Sequence, residues 1–248
     1  RHGHQRGIVA PHRVEHPRSL SLTLICKGLF VRITLPSGSP AELARPTTGE
    51  PVAGLVVIPD IWGLRPLFDE MCQRLADEHR VTVCAIEPFP NRNLPDIDAR
   101  FDAMSTLVDD EILLDVSQAA DATGAERTVL IGFCMGGMYT LKATALRRFD
   151  RACAFYGMFT VPVGWRGPHQ GAPLEAVATV GATPIMAVVG GEDPYTPPED
   201  VAAAEAAGVT IARYLEAEHG FVHDASRPTH RPADAADAWS KCFAFLGI

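Results

Sequence analysis

The sequence lacks the features of a membrane, nucleic-acid-binding or disulfide-stabilised protein. No apolar stretch approaches the ~20 residues that a helix needs to cross a bilayer. Its 22 lysines and arginines are outnumbered by 30 acidic residues, and the resulting net charge of −8 argues against a nucleic-acid or anionic-membrane partner. The six cysteines are far apart and form no C-x-x-C pair, as is typical of reduced thiols. We therefore expect a cytoplasmic protein.

Residues 1–20 differ in composition from the remainder of the chain. They hold four arginines against one glutamate and four of the nine histidines, and they have no long apolar core like that of a signal peptide. The histidines follow neither the helical nor the Cys/His spacing of a metal site. We therefore predict an N-terminal extension over residues 1–20, a single α/β domain over residues 21–248, and no metal or cofactor.

The rest of the chain alternates apolar runs with amphipathic segments. Strands are predicted at Val52–Ile58, Val81–Ile86, Thr128–Ile131, Ala152–Tyr156, Pro184–Val189 and Val209–Tyr214. Helices are predicted at Leu67–His79, Phe101–Asp121, Met138–Arg148, Pro198–Ala207 and Ala233–Leu246. Such alternation is typical of right-handed βαβ crossovers, so we expect a mostly parallel twisted sheet with helices on both faces.

Two short alternating runs, Ser21–Cys26 and Leu29–Leu35, precede this pattern. Because Lys27-Gly28 between them is typical of a turn, they predict a short N-terminal hairpin. Pro36–Pro51 is rich in proline, glycine, serine and threonine and predicts a loop. The stretch Met158–Ala182 is long for a connection, and it is either a partial lid or a plain loop.

The motif Gly132-Phe133-Cys134-Met135-Gly136-Gly137 follows directly on a predicted strand. Its G-x-C-x-G spacing is that of a nucleophile elbow, in which a strand turns sharply into a helix and presents the central side chain. Glycines two positions before and after Cys134 remove Cβ atoms that would clash in such a turn. Free backbone N–H groups at the helix N-terminus favour negative charge. The motif thus predicts a reactive cysteine rather than a buried structural one.

A thiol nucleophile needs a base, and the base needs an orienting acid. Asp193 follows the predicted strand Pro184–Val189 in a glycine turn, a position that also suits a helix N-cap. His219 and His223 both follow the last predicted strand. Gly220 argues against a helix that would make these two histidines a metal pair. We expect His219 to be the base, with His223 as the reserve.

These motifs occur in the order and spacing of the dienelactone hydrolase (carboxymethylenebutenolidase) family of α/β-hydrolases, which the sequence resembles over roughly residues 28–248. The resemblance implies an α/β-hydrolase fold with a triad of Cys134, Asp193 and His219. It also implies an oxyanion hole from the backbone N–H groups of Ile61 and Met135, and a small-molecule lactone or ester as substrate. The segments that carry it are Ile58–Leu64, Gly132–Gly137, Gly190–Pro194, and Tyr214 with His219–Phe221.

Three positions differ from the family pattern. Asp60 stands where the enzymes that open dienelactones carry a glutamate that interacts with the resting thiol. His223 stands where they carry one of two arginines that hold the substrate carboxylate, and Arg92 lies one position from the other. Together with Trp62, these are the candidate substrate-binding or thiol-tuning residues. The differences favour a related substrate or a neutral lactone over an anionic dienelactone.

Cysteine as the nucleophile restricts the acyl groups that can be cleaved. The tetrahedral intermediate expels its better leaving group, and a thiolate leaves more readily than an alkoxide. Enols and phenols have pKa values of about 8 to 10, close to that of a thiol. We therefore predict hydrolysis of enol lactones or similarly activated esters through a thioester acyl-enzyme.

Three other functions remain compatible with the sequence. They are a broader carboxylesterase or thioesterase, a thiol redox protein with Cys134 as its sensor, and a catalytically silent binding protein on the same fold. The absence of an obvious resolving cysteine disfavours the redox protein, and the presence of Asp193 and His219 disfavours the silent one. Both a monomer and a small homo-oligomer are compatible with the sequence.

Overall fold

In the computed structural model, which describes residues 30–248, eight strands form a single sheet. Their bounds are β1 (Phe30–Thr34), β2 (Pro40–Ala44), β3 (Ala53–Ile58), β4 (Val81–Ile86), β5 (Thr128–Phe133), β6 (Arg151–Phe155), β7 (Ile185–Gly190) and β8 (Thr210–Tyr214). The order across the sheet is β1-β2-β4-β3-β5-β6-β7-β8. The β1–β2 and β2–β4 pairs are antiparallel and the remaining pairs are parallel, which confirms the predicted mostly parallel sheet.

Helices cover both faces of this sheet. Their bounds are α1 (Pro66–His79), α2 (Ile97–Met104), α3 (Asp109–Thr123), α4 (Met135–Ala143), α5 (Pro173–Val177), α6 (Pro198–Ala206) and α7 (Pro232–Leu246). Successive residues of the central strands face opposite sides: Val56 packs in the core formed with α3 and α4, and Val57 in the core formed with α1 and α7. Among residues 30–248, no helix combines the length and hydropathy that a membrane crossing requires.

The predicted loop Pro36–Pro51 contains strand β2, which the sequence pattern did not indicate. The strand has no β-branched or aromatic residue, so its intrinsic strand propensity is low. Hydrogen bonding to β1 and β4 stabilises it. Its buried Glu42 lies 3.1 Å from Arg32 of β1. Burial raises the pKa of Glu42 to about 7, against the opposing effect of Arg32. The N-terminal hairpin is therefore β1–β2, whereas Ser21–Cys26 lies outside the described residues.

The predicted helix Phe101–Asp121 is in fact two helices, α2 and α3. The apolar periodicity continues across the break, so the sequence pattern could not reveal it. At the end of α2, the Thr106 hydroxyl donates to the Ala103 carbonyl at 2.7 Å. The amide of Gln170, from the connection after β6, donates to the Met104 carbonyl at 2.6 Å. These bonds satisfy carbonyl groups that a continuous helix would have used internally.

Candidate active site

Cys134 lies between β5 and α4 in a strained backbone conformation. Its φ of 54° and ψ of −117° fall in a region that is costly for any residue other than glycine. Helix α4 begins at Met135, three residues earlier than predicted. The thiol is therefore at the N-terminus of this helix, where the helix dipole favours negative charge.

The elbow glycines allow the backbone of α4 to lie in direct contact with the backbone of the sheet. A Cβ on Gly132 would lie 2.3 Å from the carbonyl oxygen of Gly136. A Cβ on Gly136 would lie 2.2 Å from the carbonyl oxygen of Ile58 in β3. This tight packing allows the helix to start on glycines, which have low helix propensity. Because the prediction followed propensity, it placed the start of the helix three residues too late.

Asp193 and His219 are joined by a hydrogen bond at the carboxyl edge of the sheet. Asp193 follows β7 through a two-residue turn, and its Oδ2 accepts from His219 Nδ1 at 2.8 Å. Its Oδ1 accepts the Tyr195 N–H at 2.9 Å, so both carboxylate oxygens are used. The Asp193 side chain is fully buried, whereas His219 is 16% exposed. The carboxylate therefore orients the imidazole so that Nε2 points away from it.

The protonation of His219 depends on Cys134. Burial alone would lower the pKa of His219, but the charge of Cys134 and the hydrogen bond to Asp193 outweigh burial and raise that pKa to about 10. Its Nε2 makes no hydrogen bond of standard geometry within the described residues, although Cys134 is close enough to act on the ring. A negative charge on Cys134 would therefore keep the proton on His219.

Two backbone N–H groups at this edge donate to no protein acceptor within residues 30–248. They belong to Ile61, which follows β3, and to Met135, the first residue of α4. Because β3 and β5 are neighbours in the sheet, both groups lie at the same edge as Cys134. Free N–H donors in such a position can stabilise an oxyanion.

Cys134 and His219 open into a cavity of about 250 Å³. Four aromatic side chains line it, namely Trp62, Phe101, Trp165 and Tyr195. The ring of Trp165 stacks on Phe101 at 5.8 Å and on Tyr195 at 6.4 Å between centroids. Since Trp165 belongs to the long connection Met158–Ala182, that connection covers part of the cavity. The remaining lining residues are Asp60, Ile61, Ile97 and Arg227.

A sequence model of the dienelactone hydrolase family matches residues 40–248. The chain belongs to this family. Within the described residues, no group of three or more histidine, cysteine, aspartate or glutamate side chains is arranged to hold a metal ion.

Individual members and solved structures agree with this assignment. A predicted carboxymethylenebutenolidase of Escherichia coli (strain K12) is 29% identical over 220 residues, which cover 82% of this chain and 79% of the relative. A predicted 2-oxo-3-(5-oxofuran-2-ylidene)propanoate lactonase of Bradyrhizobium sp is 27% identical over 220 residues, covering 83% and 88%. The crystal structure of a predicted dienelactone hydrolase from Klebsiella pneumoniae subsp. pneumoniae MGH 78578 is similar with a TM-score of 0.76 at 25% identity, covering 88% and 98%. The α/β-hydrolase fold is confirmed.

In this member of the dienelactone hydrolase family, Asp60 lines the cavity but binds other groups than the thiol. Arg65 donates to both of its oxygens, at 2.7 and 2.9 Å, and His223 Nε2 donates at 2.9 Å. The N–H of Trp62 donates to Oδ1 at 3.0 Å. Burial alone would raise the pKa of Asp60, but the hydrogen bonds from His223 and Arg65 hold it well below its usual range. Asp60 is therefore a permanently ionised, fully engaged carboxylate.

His223 is placed to hold Asp60 rather than to contact a substrate, contrary to expectation. Its side chain is fully buried and does not line the cavity. Nε2 donates to Asp60, and Nδ1 accepts from the hydroxyl of Tyr156. Burial lowers the pKa of His223 despite the nearby carboxylate, so the ring is neutral at physiological pH. A neutral imidazole with this tautomer satisfies both of its neighbours.

Arg92 lies away from the cavity that Cys134 lines. It donates to the Thr106 hydroxyl at 2.6 Å and lines a separate cavity between the β1–β2 turn and α3. The substrate-binding role expected of Arg92 from the sequence is therefore wrong.

Three arginines near the site were missed by sequence reasoning. Arg65 holds Asp60, Arg227 lines the cavity, and Arg100 donates to the carbonyl of Ile61 at 2.9 Å. None belongs to a recognisable motif, because each reaches the site from a helix or loop that only the fold brings there. One indirect signal in the sequence pointed to Arg100, namely its position next to Phe101 on a predicted amphipathic segment.

Proposed function

We propose that this protein is a cysteine hydrolase that opens enol lactones or similarly activated esters through a thioester acyl-enzyme. The observation that carries the proposal is the position of Cys134 at the elbow, in one cavity with His219, whose second ring nitrogen is bonded to Asp193 at 2.8 Å. This arrangement supports a nucleophile, a base and an orienting acid in the relation that acyl transfer requires. Membership of the dienelactone hydrolase family supports the same chemistry.

In the proposed first step, the thiolate of Cys134 attacks the acyl carbon. The carbonyl oxygen becomes negative and accepts hydrogen bonds from the N–H groups of Ile61 and Met135. Collapse of this intermediate breaks the C–O bond and expels an enolate or phenolate, which takes a proton from the imidazolium of His219. In a lactone the leaving oxygen stays attached to the acyl chain, so the ring opens and the product remains bound as a thioester.

Acylation then changes the protonation of His219. The charge of Cys134 contributes most to raising the pKa of His219, and the thioester no longer carries that charge. The pKa of the imidazole therefore falls in the acyl-enzyme, and neutral His219 can take a proton from water. The resulting hydroxide adds to the thioester carbonyl, the C–S bond breaks, and the thiolate and imidazolium form again.

The leaving group provides the direct test of this proposal. We expect kcat/KM for an enol lactone or an aryl ester to exceed that for an alkyl ester of the same acid by about 100-fold, equivalent to about 2.7 kcal/mol in the activation barrier. The reason is that the thiolate competes with the leaving oxygen in the tetrahedral intermediate. The measurement is steady-state kinetics on the matched pair, with Cys134→Ala protein as the background. Equal rates on both esters would contradict the proposal and favour a broad carboxylesterase.

The position of Arg227 in the cavity supports the proposal that the substrate carries a carboxylate. Its guanidinium lines the cavity, and the oxygens of Asp60 and Asp224 lie 3.8 Å from it, longer than a hydrogen bond. It can therefore donate to a substrate carboxylate without losing a short bond in the protein. The Bradyrhizobium relative is named for a lactone that carries a propanoate group, which is a substrate of this kind.

Replacing Arg227 with glutamine should weaken binding of carboxylate-bearing lactones selectively. A charge-assisted hydrogen bond contributes about 1.5–3 kcal/mol, so we expect KM to rise by about 10- to 100-fold for the anionic lactone and to stay nearly unchanged for a neutral analogue. Kinetics on the two lactones measure the difference. Arg231→Gln is the matched control, because Arg231 pairs with the exposed Glu216 and with Asp234 outside the cavity. An equal rise for both lactones would contradict anion recognition.

A further inference from the structure

Helix α2 contacts the predicted oxyanion loop through the partly buried guanidinium group of Arg100. Arg100 Nη1 donates to the carbonyl oxygen of Ile61 at 2.9 Å. The same guanidinium lies over the rings of Trp62 and Phe89, 5.6 Å from each centroid. Its Nε is buried and makes no hydrogen bond within the described residues. One carbonyl oxygen and two aromatic faces therefore hold the cation in place.

The carbonyl that Arg100 binds belongs to Ile61, the residue whose N–H is proposed to bind the oxyanion. The peptide group before Ile61 is fixed by a bond from the Gly63 N–H to the Asp60 carbonyl at 2.9 Å. The peptide group after it is fixed on the amide side by the bond from the Trp62 N–H to Asp60 Oδ1 at 3.0 Å. Arg100 fixes the carbonyl side of that second peptide. Together these bonds fix the two peptide groups that flank Ile61, and with them the direction of its free N–H.

The same helix also forms part of the cavity wall. Ile97 and Phe101 of α2 line the cavity, and Arg100 stands between them in sequence. A substrate that packs against Phe101 therefore contacts the helix that holds the oxyanion loop. Arg100 also places a positive charge on the carbonyl of the residue whose N–H is proposed to bind the oxyanion.

We propose that Arg100 is a positioning residue that fixes the Ile61 N–H for the oxyanion. This role rests on the proposed cysteine hydrolase function. It concerns the transition state and not the ground state, since the oxyanion exists only after the thiolate has attacked. Arg100 does not line the cavity, and it acts through the backbone of Ile61.

The test compares Arg100→Gln and Arg100→Lys with the wild-type protein on an activated lactone or aryl ester. Losing one oxyanion donor costs about 10²–10³-fold in kcat, and a misplaced donor should cost less. We therefore expect Arg100→Gln to lower kcat by about 10- to 100-fold with KM nearly unchanged. Lysine keeps a positive donor but loses the planar contact with two rings, so Arg100→Lys should recover part of the loss.

Two further measurements separate positioning from general damage. A substrate-like aldehyde forms a hemithioacetal with Cys134 and places an oxygen in the oxyanion hole, so its inhibition constant should rise by the same factor by which kcat falls. Alkylation of Cys134 by iodoacetamide needs no oxyanion hole, and its rate should stay unchanged. Arg151→Gln is the matched control, because Arg151 also donates to a backbone carbonyl, at 2.6 Å, and lies over an aromatic ring, at the opposite edge of the sheet.

The outcomes distinguish this inference from the proposed function. Turnover that survives Cys134→Ala would overturn the cysteine mechanism. If turnover needs Cys134 but Arg100→Gln retains wild-type kcat, or changes only KM, the positioning role of Arg100 is overturned alone. Slower alkylation in Arg100→Gln, or a loss equal to that in Arg151→Gln, would also overturn it, since either result indicates a general structural effect.

Discussion

Replacing Cys134 with alanine is expected to abolish hydrolysis of the activated substrate, with kcat lowered by about 10³-fold or more. Alanine leaves the cavity and the free N–H groups of Ile61 and Met135 in place, but it provides no nucleophile. Steady-state kinetics measure the loss. Mass spectrometry of the intact protein during turnover should detect an acyl adduct in the wild-type protein and none in the variant.

Cys72→Ala is the matched control for this substitution. Cys72 is fully buried in α1 and does not line the cavity, and alanine is well tolerated in a helix. We expect it to keep kcat and KM while its melting temperature falls slightly. Wild-type turnover in Cys134→Ala, or an acyl adduct on another side chain, would contradict the assignment of the nucleophile.

Replacing His219 with alanine should lower kcat by a similar factor of about 10³. The imidazole is the group that exchanges a proton with the thiol, the leaving oxygen and water, and the raised pKa of about 10 reflects its coupling to Cys134. Without the imidazolium the thiolate loses its counter-charge. Alkylation of Cys134 by iodoacetamide at neutral pH should therefore become slower, and any acyl-enzyme that forms should persist.

His223→Gln provides the comparison with the second histidine. His223 is buried and neutral, between Asp60 and Tyr156, and glutamine retains a donor for the carboxylate. We expect its kcat to stay within about tenfold of the wild-type value, although its stability will fall because a well-packed ring is lost. If His223→Gln lost more activity than His219→Ala, the base would be His223.

The sequence pattern predicted the strands whose apolar residues are contiguous and the helices whose apolar residues recur at helical spacing. The strands β3 to β7 are apolar runs covered on both faces, apart from the exposed Arg151 at the start of β6, so their composition indicated them directly. The edge strand β8 is partly exposed and carries Thr210 and Arg213 on its exposed positions. Strand β2 was missed because its residues have low strand propensity, and it forms only because β1 and β4 offer edges for pairing. The break between α2 and α3 was missed for a related reason, since the bond from Gln170 that favours it comes from a distant part of the chain.

The residues of the site divide in the same way, into those that a local motif indicates and those that only the fold brings together. Cys134, Asp193 and His219 could be proposed from the sequence because each stands in a local motif at the end of a strand, and parallel strands end at a common edge. The substrate-binding roles of Arg92 and His223 were inferred from the resemblance alone, and the structure places both side chains outside the cavity. Arg65, Arg100 and Arg227 stand in no motif, and so their contacts with Asp60, Ile61 and the cavity were not predictable.

The sequence by itself determined the resemblance to the family, the mostly parallel sheet and the position of the elbow at Cys134, because glycine spacing and apolar periodicity act over a few residues. Only the tertiary structure decided the charge pattern around the thiol. The charge of Asp60 is balanced by Arg65, and neutral His223 donates a hydrogen bond to it. The positive charge in the cavity comes from Arg227, and the Ile61 loop is held by Arg100. Long charged side chains reach partners far away in the chain, so their roles depend on how the helices and loops are packed.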